Sequence, residues 1–136
     1  MNDRYKYRVW DKENKCMHYP TRYSNFAVVN GTVVKIESYP TAKSAYLGKR
    51  IAWEFNDAVI IQCTSLKDKN GKLIYEGDIV KFKNELLGKP KQIIWDECHY
   101  ILKDTFIILC DMEIKQFGLE VIGNIYENKE LLNENS

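Results

Sequence analysis

The side chains best suited to chemistry in this sequence are two cysteine–histidine pairs, Cys16 with His18 and Cys98 with His99. Together they offer two thiolates and two imidazoles, a set that zinc accepts. Their spacing fits no standard knuckle, which needs C-x₂₋₄-C and H-x₃₋₅-H. The expectation is therefore no metal, with thiols in the core and histidines on the surface. Cys98 and His99 also hold the atoms of a nucleophile and its base. Neighbours on a regular strand point to opposite faces, so the imidazole is not expected to reach the thiol. The other cysteines are Cys63 and Cys110, and no CxxC pair occurs. In a reducing compartment most of the four should behave as small core hydrophobes.

Carboxylates form a second group. Glu76 and Asp78 flank Gly77, and Asp68 lies ahead of them. Paired carboxylates can serve as acid and base or hold magnesium. Beside a glycine, the simpler expectation is that Asp78 accepts bonds from turn amides while Glu76 is solvated. Basic and aromatic residues form the third group. Arg4, Lys6, Arg8 and Trp10 alternate onto one face of a strand, and Lys81, Lys83, Lys89 and Lys91 surround a loop. Such a face can bind single-stranded nucleic acid, cations on phosphates and rings on bases. It can equally be an edge strand protected from aggregation by its charge. No GxxxxGK[ST], GxGxxG or HExxH pattern occurs, so nucleotide-loop and zinc-protease chemistry lack a foothold.

The elements that must position these groups read mainly as strands. The chain has 136 residues, the size of a single domain, 1–136, with a substantial core. It is 45% hydrophobic and 29% charged, with 20 basic against 19 acidic residues and a formal charge of +1. A domain built to grip phosphate backbones usually carries a strong basic excess. No apolar leader opens the chain and no run approaches the ~18 apolar residues of a membrane span. A cytoplasmic, membrane-free protein is expected.

Tyr5, Tyr7 and Val9 alternate against Arg4, Lys6, Arg8 and Trp10, and Cys16–Tyr19 returns across the turn 11–15. Phe26–Val29 and Thr32–Ile36 flank Asn30-Gly31, a type I′ hairpin signal. Thr41–Lys49 reads as a short helix after Pro40, with Gly48 as its C-cap. Ala58–Cys63 reads as a strand, and Asn70-Gly71 as a second tight turn in which both positions accept positive φ. Glu76-Gly77-Asp78 marks a third turn or bulge. Ile79–Phe82, Gln92–Trp95, Tyr100–Lys103, Thr105–Cys110 and Gly118–Ile125 complete about nine strands, with turn signals every 8–12 residues. Asn128 is placed to cap a last helical turn, Lys129–Leu132. This pattern favours a sandwich or barrel.

The segment LKDKNGKLIYEGDIVK, from Leu66 to Lys81, resembles the central signature of the YopX family. The opening YRVWDKENKCM is similar to that family's first strand and turn, and VIGNIYENKELL to its last strand and helix. Three blocks in the right order span both ends of the chain. One departure is Ser65, where the family usually has a glycine, which bears on a positive-φ backbone there. The resemblance implies a small, partly open β-barrel, an SH3/PRC-barrel-like roll, with a short capping helix. It implies a phage or prophage origin and no activity, catalytic residue or cofactor that carries over.

The signature positions Asp68, Asn70, Gly71, Tyr75, Glu76, Gly77 and Asp78 are turn-formers and strand residues, expected to serve the fold. The expected function is a non-enzymatic interaction protein that works through self-association and contacts with host or phage proteins. The 12% aromatic content, with nine tyrosines, motivates it, because aromatic residues favour interfaces. The alternative is a single-stranded nucleic-acid binder using Arg4, Lys6, Arg8, Trp10, Lys81 and Lys83. An enzyme of phage metabolism ranks third.

Overall fold

Hydrophobic residues at every second position, broken by turn-formers, should produce an antiparallel β protein. The computed structural model, which describes residues 7–21, 24–41, 44–84 and 88–132, is of that class. Strand makes up 51% of it, with one α-helix. The elements are β1 (Tyr7–Asp11), β2 (Cys16–His18), β3 (Ser24–Val29), β4 (Thr32–Thr41), β5 (Ser44–Glu54), β6 (Ala58–Lys67), β7 (Leu73–Tyr75), β8 (Asp78–Lys81), β9 (Lys91–Asp96), β10 (His99–Leu102), α1 (Asp111–Phe117) and β11 (Glu120–Asn124). A 3-10 turn, Lys129–Leu132, ends the described chain. The chain divides into two compact units, Lys6–Ile61 and one beginning at Gln62.

In the N-terminal unit β1 pairs with β2, Asp11 opposite Cys16 and Val9 opposite His18. β3, β4 and β5 form an antiparallel three-stranded sheet. Asn30 (φ 50°) and Gly31 (φ 79°) are both left-handed, as a type I′ turn demands. The helix expected over 41–49 is instead strand. β4 pairs with β5 from Val34–Glu54 to Thr41–Ser44. A nine-residue helix is marginal by itself, whereas a long hairpin satisfies the same backbone groups and suits Tyr39, Tyr46, Ile51 and Trp53. Ala42 and Lys43 lie outside the described residues.

In the C-terminal unit the second half of β6 pairs with β7, and a separate sheet has the linear order β10-β9-β8-β11. The sheet is open, as a partly open barrel requires. Its core gathers Ile74, Val80, Phe82, Ile93, Leu102, Ile114, Leu119 and Val121. Full burial of each such side chain contributes about 1.5–3 kcal/mol. α1 was not foreseen. Seven residues cannot hold a helix alone. Ile114 is buried and Phe117 meets Phe82 edge-on, 5.7 Å between ring centroids. Asp111 and Glu113 suit the positive N-terminal end, and Gly118 (φ 60°) closes it. The strand expected over 105–110 reduces to an irregular pairing, with Ile108 bridging Ile101 and the Leu109 amide donating to the Tyr100 carbonyl. Thr105 breaks it: its hydroxyl donates to the Leu102 carbonyl (2.6 Å) and accepts from the Ile107 amide (3.0 Å).

The β6–β7 register shifts between Cys63 and Lys67, and Ser65 sits in that bulge with φ 71°. The family's glycine is missing, yet its left-handed backbone is kept. A side chain there costs about 1–2 kcal/mol, partly offset by the greater unfolded freedom of glycine. Ser65→Gly is therefore expected to raise stability by about 0.5–1 kcal/mol in urea unfolding; a lower midpoint would contradict this reading of the bulge.

Candidate functional site

The signature carboxylates are committed to backbone. Asp68 is buried. Its Oδ1 accepts from the Asn70 and Lys72 amides (2.8 and 3.0 Å), and its Oδ2 accepts from the Val121 amide (2.9 Å). The turn differs from the one expected. Asn70 is not left-handed; the Gly71 amide donates to the Asp68 carbonyl, so Lys69-Asn70 are the central pair and Gly71 (φ 83°) follows them. Asp68 overrides the Asn-Gly signal by capturing the amides around it. Asp78 is likewise buried, and its Oδ2 accepts from the Tyr75 amide (2.7 Å).

Between them Gly77 (φ 87°) donates its amide to the Ile93 carbonyl and accepts from the Ile125 amide, both at 2.9 Å. A Cβ at Gly77 would lie 3.0 Å from Cε2 of Tyr126. The glycine thus lets the tyrosine ring lie across the turn. Tyr126 is also fixed from its own side. Asn124 Oδ1 accepts from the Tyr126 and Glu127 amides (3.0 and 2.8 Å). Asn128 holds the N-cap position expected, its carbonyl accepting from the Leu131 amide (2.9 Å), but its side chain turns back instead of capping: its Oδ1 accepts from the Asn124 amide (3.3 Å). The side chain sits so close over Gly123 that a Cβ there would be 2.6 Å from Oδ1.

Tyr126 forms part of the wall of a half-open cavity of about 640 Å³ in this unit. Among the described residues Lys89, Lys91, Lys103 and Lys129 line it, with Asp104 the one carboxylate. Elsewhere lysines sit near carboxylates, Lys12 with Asp57 (3.8 Å) and Lys69 and Lys81 with Glu120 (3.7 and 3.5 Å). The four cavity lysines have no such partner among the described residues. Lys89 and Lys91 belong to the loop marked as basic from the sequence. Lys103 and Lys129 join them only through folding, as the Lys103 amide donates to the Gln92 carbonyl (2.8 Å).

Of the expected N-terminal basic face only Arg8 and Trp10 are described. Arg4 and Lys6 lie outside the described residues. Arg8 is only 2% exposed and Trp10 half-buried. Both faces of β1 are packed, so the alternation does not make one of them a solvent face. Lys81 is exposed but beside Glu120, and the stem of Lys83 lies against Gly118.

The cysteine–histidine pairs both make contact. Cys98 Sγ is 3.2 Å from His99 Nδ1, against expectation, because Glu97 (φ 57°) places Cys98 in a hairpin turn where strand alternation fails. The pair is at the surface, and His99 meets no orienting third group among the described residues. Cys16 Sγ is 3.2 Å from His18 Nε2, and Asp11 brings a carboxylate within 4.8 Å of both. Those three can supply three zinc ligands. Asp11, however, already accepts from the Glu13 and Asn14 amides (3.0 and 3.2 Å) and from Asn14 Nδ2 (2.8 Å). Of the four cysteines, all free, only Cys63 is buried.

The sequence pattern of the family described as YopX protein matches residues 6–133. This chain belongs to the YopX family. Its fold resembles two solved structures. Protein EF1440 from Enterococcus faecalis is 24% identical, with 94% of this chain and 97% of that chain covered and a TM-score of 0.65. YopX from Bacillus subtilis is 22% identical, with 98% and 100% covered and a TM-score of 0.62. No curated protein matches. No helix among the described residues is long and apolar enough to cross a membrane.

Two predictions follow from the carboxylates of this YopX-family chain. Asp68→Ala strips three amides of their acceptor, and hydrogen bonds to charged groups contribute about 1.5–3 kcal/mol each. A loss of at least about 2 kcal/mol in urea unfolding is expected; a smaller loss would show that water replaces the carboxylate. Asp11 is held below its ordinary pKa, first by the Asn14 side-chain amide and then by the Asn14 and Glu13 backbone amides, with burial opposing. Its folded pKa is below the unfolded one, so its stabilisation is present above the unfolded value and fades as pH falls through the folded value. The stability gap between wild type and Asp11→Ala should be largest near neutrality and shrink in acid; a gap independent of pH would refute it.

Proposed function

We propose that this protein is a non-enzymatic interaction protein of phage or prophage origin that works through protein–protein contact, first of all with a second copy of itself. The observation that carries this reading is an apolar row on the outward side of the C-terminal sheet. Ile93, Leu102 and Leu109 enter the core. Strand alternation therefore turns Ile94, Ile101 and Ile108 the other way, and the register sets them side by side. Outward faces of antiparallel sheets are normally polar. Here Ile94 and Ile101 are half-buried, Ile108 is 48% exposed, Phe106 is fully exposed, and Met112 is exposed nearby in the chain.

A symmetric dimer presents one patch to its own copy, which suits a chain of near-zero net charge. The use of Asp68 and Asp78 as amide acceptors supports a structural role for the signature residues. Size-exclusion chromatography with light scattering should give a mass above 16.0 kDa at micromolar concentration. Phe106→Ser with Ile108→Lys should return the monomer. A wild-type monomer at that concentration would end the self-association reading.

A further inference from the structure

We propose that the lysine-lined cavity is a nucleotide-phosphate site, with the ammonium groups taking phosphate and the Tyr126 ring facing the base. It involves different side chains from the apolar row, so either reading can fail without the other. Three observations carry it. The first is charge. Among the described residues four lysines against one aspartate give the wall an excess of three positive charges, in a chain whose total is +1. Clustered ammonium groups without carboxylate partners repel one another, and an anion relieves that repulsion. Lysine is a point-charge phosphate ligand whose flexible stem follows the phosphate's position.

The second is shape. A volume of about 640 Å³ falls within the range of small-ligand sites. Lys91 opens β9, Lys103 follows β10 and Lys129 opens the 3-10 turn, so three segments close on one space. The third is the rigid ring. Gly77 behind Tyr126, and Asn124 bonded to its backbone, hold the aromatic in place before any ligand arrives. A base stacked on an aromatic ring contributes about 1–3 kcal/mol in single-strand binders. The Gln92 amide on the same wall adds a donor and an acceptor for a base edge.

Titration calorimetry of the full chain at low salt, with AMP, ATP, pyrophosphate and a dT12 oligonucleotide, tests this. ATP or dT12 should bind at least about tenfold more tightly than pyrophosphate, and affinity should fall with salt. Binding of ATP without dT12 assigns the site to free nucleotides; much tighter binding of dT12 assigns it to single strands. The triple variant Lys91→Gln, Lys103→Gln, Lys129→Gln should weaken binding at least tenfold. Asp104→Asn should act in the opposite direction, tightening it two- to fivefold, which loss of folding cannot imitate. Tyr126→Leu should bring ATP down to the affinity of pyrophosphate. No binding of any probe, equal binding of pyrophosphate and ATP by the wild type, or affinity unchanged in the triple variant would overturn the proposal.

Discussion

Asp68 must satisfy three amides with one carboxylate, two in its own turn and one 53 residues further along the chain. That last bond, to Val121, fastens the turn that leads into β7 to the strand that ends the sheet. The Lys69 amide reinforces it by donating to the Leu119 carbonyl. A charged acceptor beneath the surface is costly unless its oxygens are occupied, so the turn cannot relax without exposing or stranding it. The neighbouring turn repeats the device: Asp78 accepts from Tyr75, while Gly77 links β9 to residue 125. The geometry of the C-terminal unit hangs on these two turns.

The same turns make the cavity. Tyr126 is where it is because Gly77 has no side chain and because Asn124 collects the amides that follow it. Asn128 then folds back over Gly123 to close the loop. The signature around residue 77 and the closing block around residue 124 are one structural unit, although nearly fifty residues separate them. A ring placed by backbone contacts on two sides loses little freedom when a ligand stacks on it.

The sequence was most legible where a local rule met no competitor. Asn30-Gly31 formed the turn its residue types demand, and most strands fell where alternation put them. Asn70-Gly71 carried the same dipeptide and made a different turn, because the Asp68 carboxylate claimed the Asn70 amide and its carbonyl the Gly71 amide. Over 41–49 an alanine-and-leucine pattern suggests helix, but Ser44 and Lys49 pair back onto Thr41 and Tyr39 of the preceding strand, and the hairpin wins. α1 has legible ends, acidic residues at its start and Gly118 after it, but seven residues with one buried position, Ile114, are too short for a helical period to stand out beside the strand-like run Thr105–Cys110. Half of the cavity was visible in Lys89 and Lys91. Lys103 and Lys129 are isolated cations in the sequence, and only register brings them to the same wall. Arg8 misled because alternation alone does not say which face is solvated.

The apolar row and the basic cavity share strands. Ile94 and Ile101 lie two residues from Gln92 and Lys103 on the same side of β9 and β10, and Phe106 follows Lys103 across the Asp104–Thr105 turn. Where two copies meet with these walls close together, like charges oppose association at low salt, and any anion in the cavity reduces that penalty. Thermodynamic reciprocity makes the converse hold: if phosphate favours the dimer, the dimer favours phosphate by the same factor. The overall charge of +1 hides this, because an excess of three on the described lining residues leaves two net negative charges for all other residues together. Near-neutral composition excludes a uniformly basic polyanion binder; it leaves room for a chain whose charge is concentrated beside the surface on which it would self-associate.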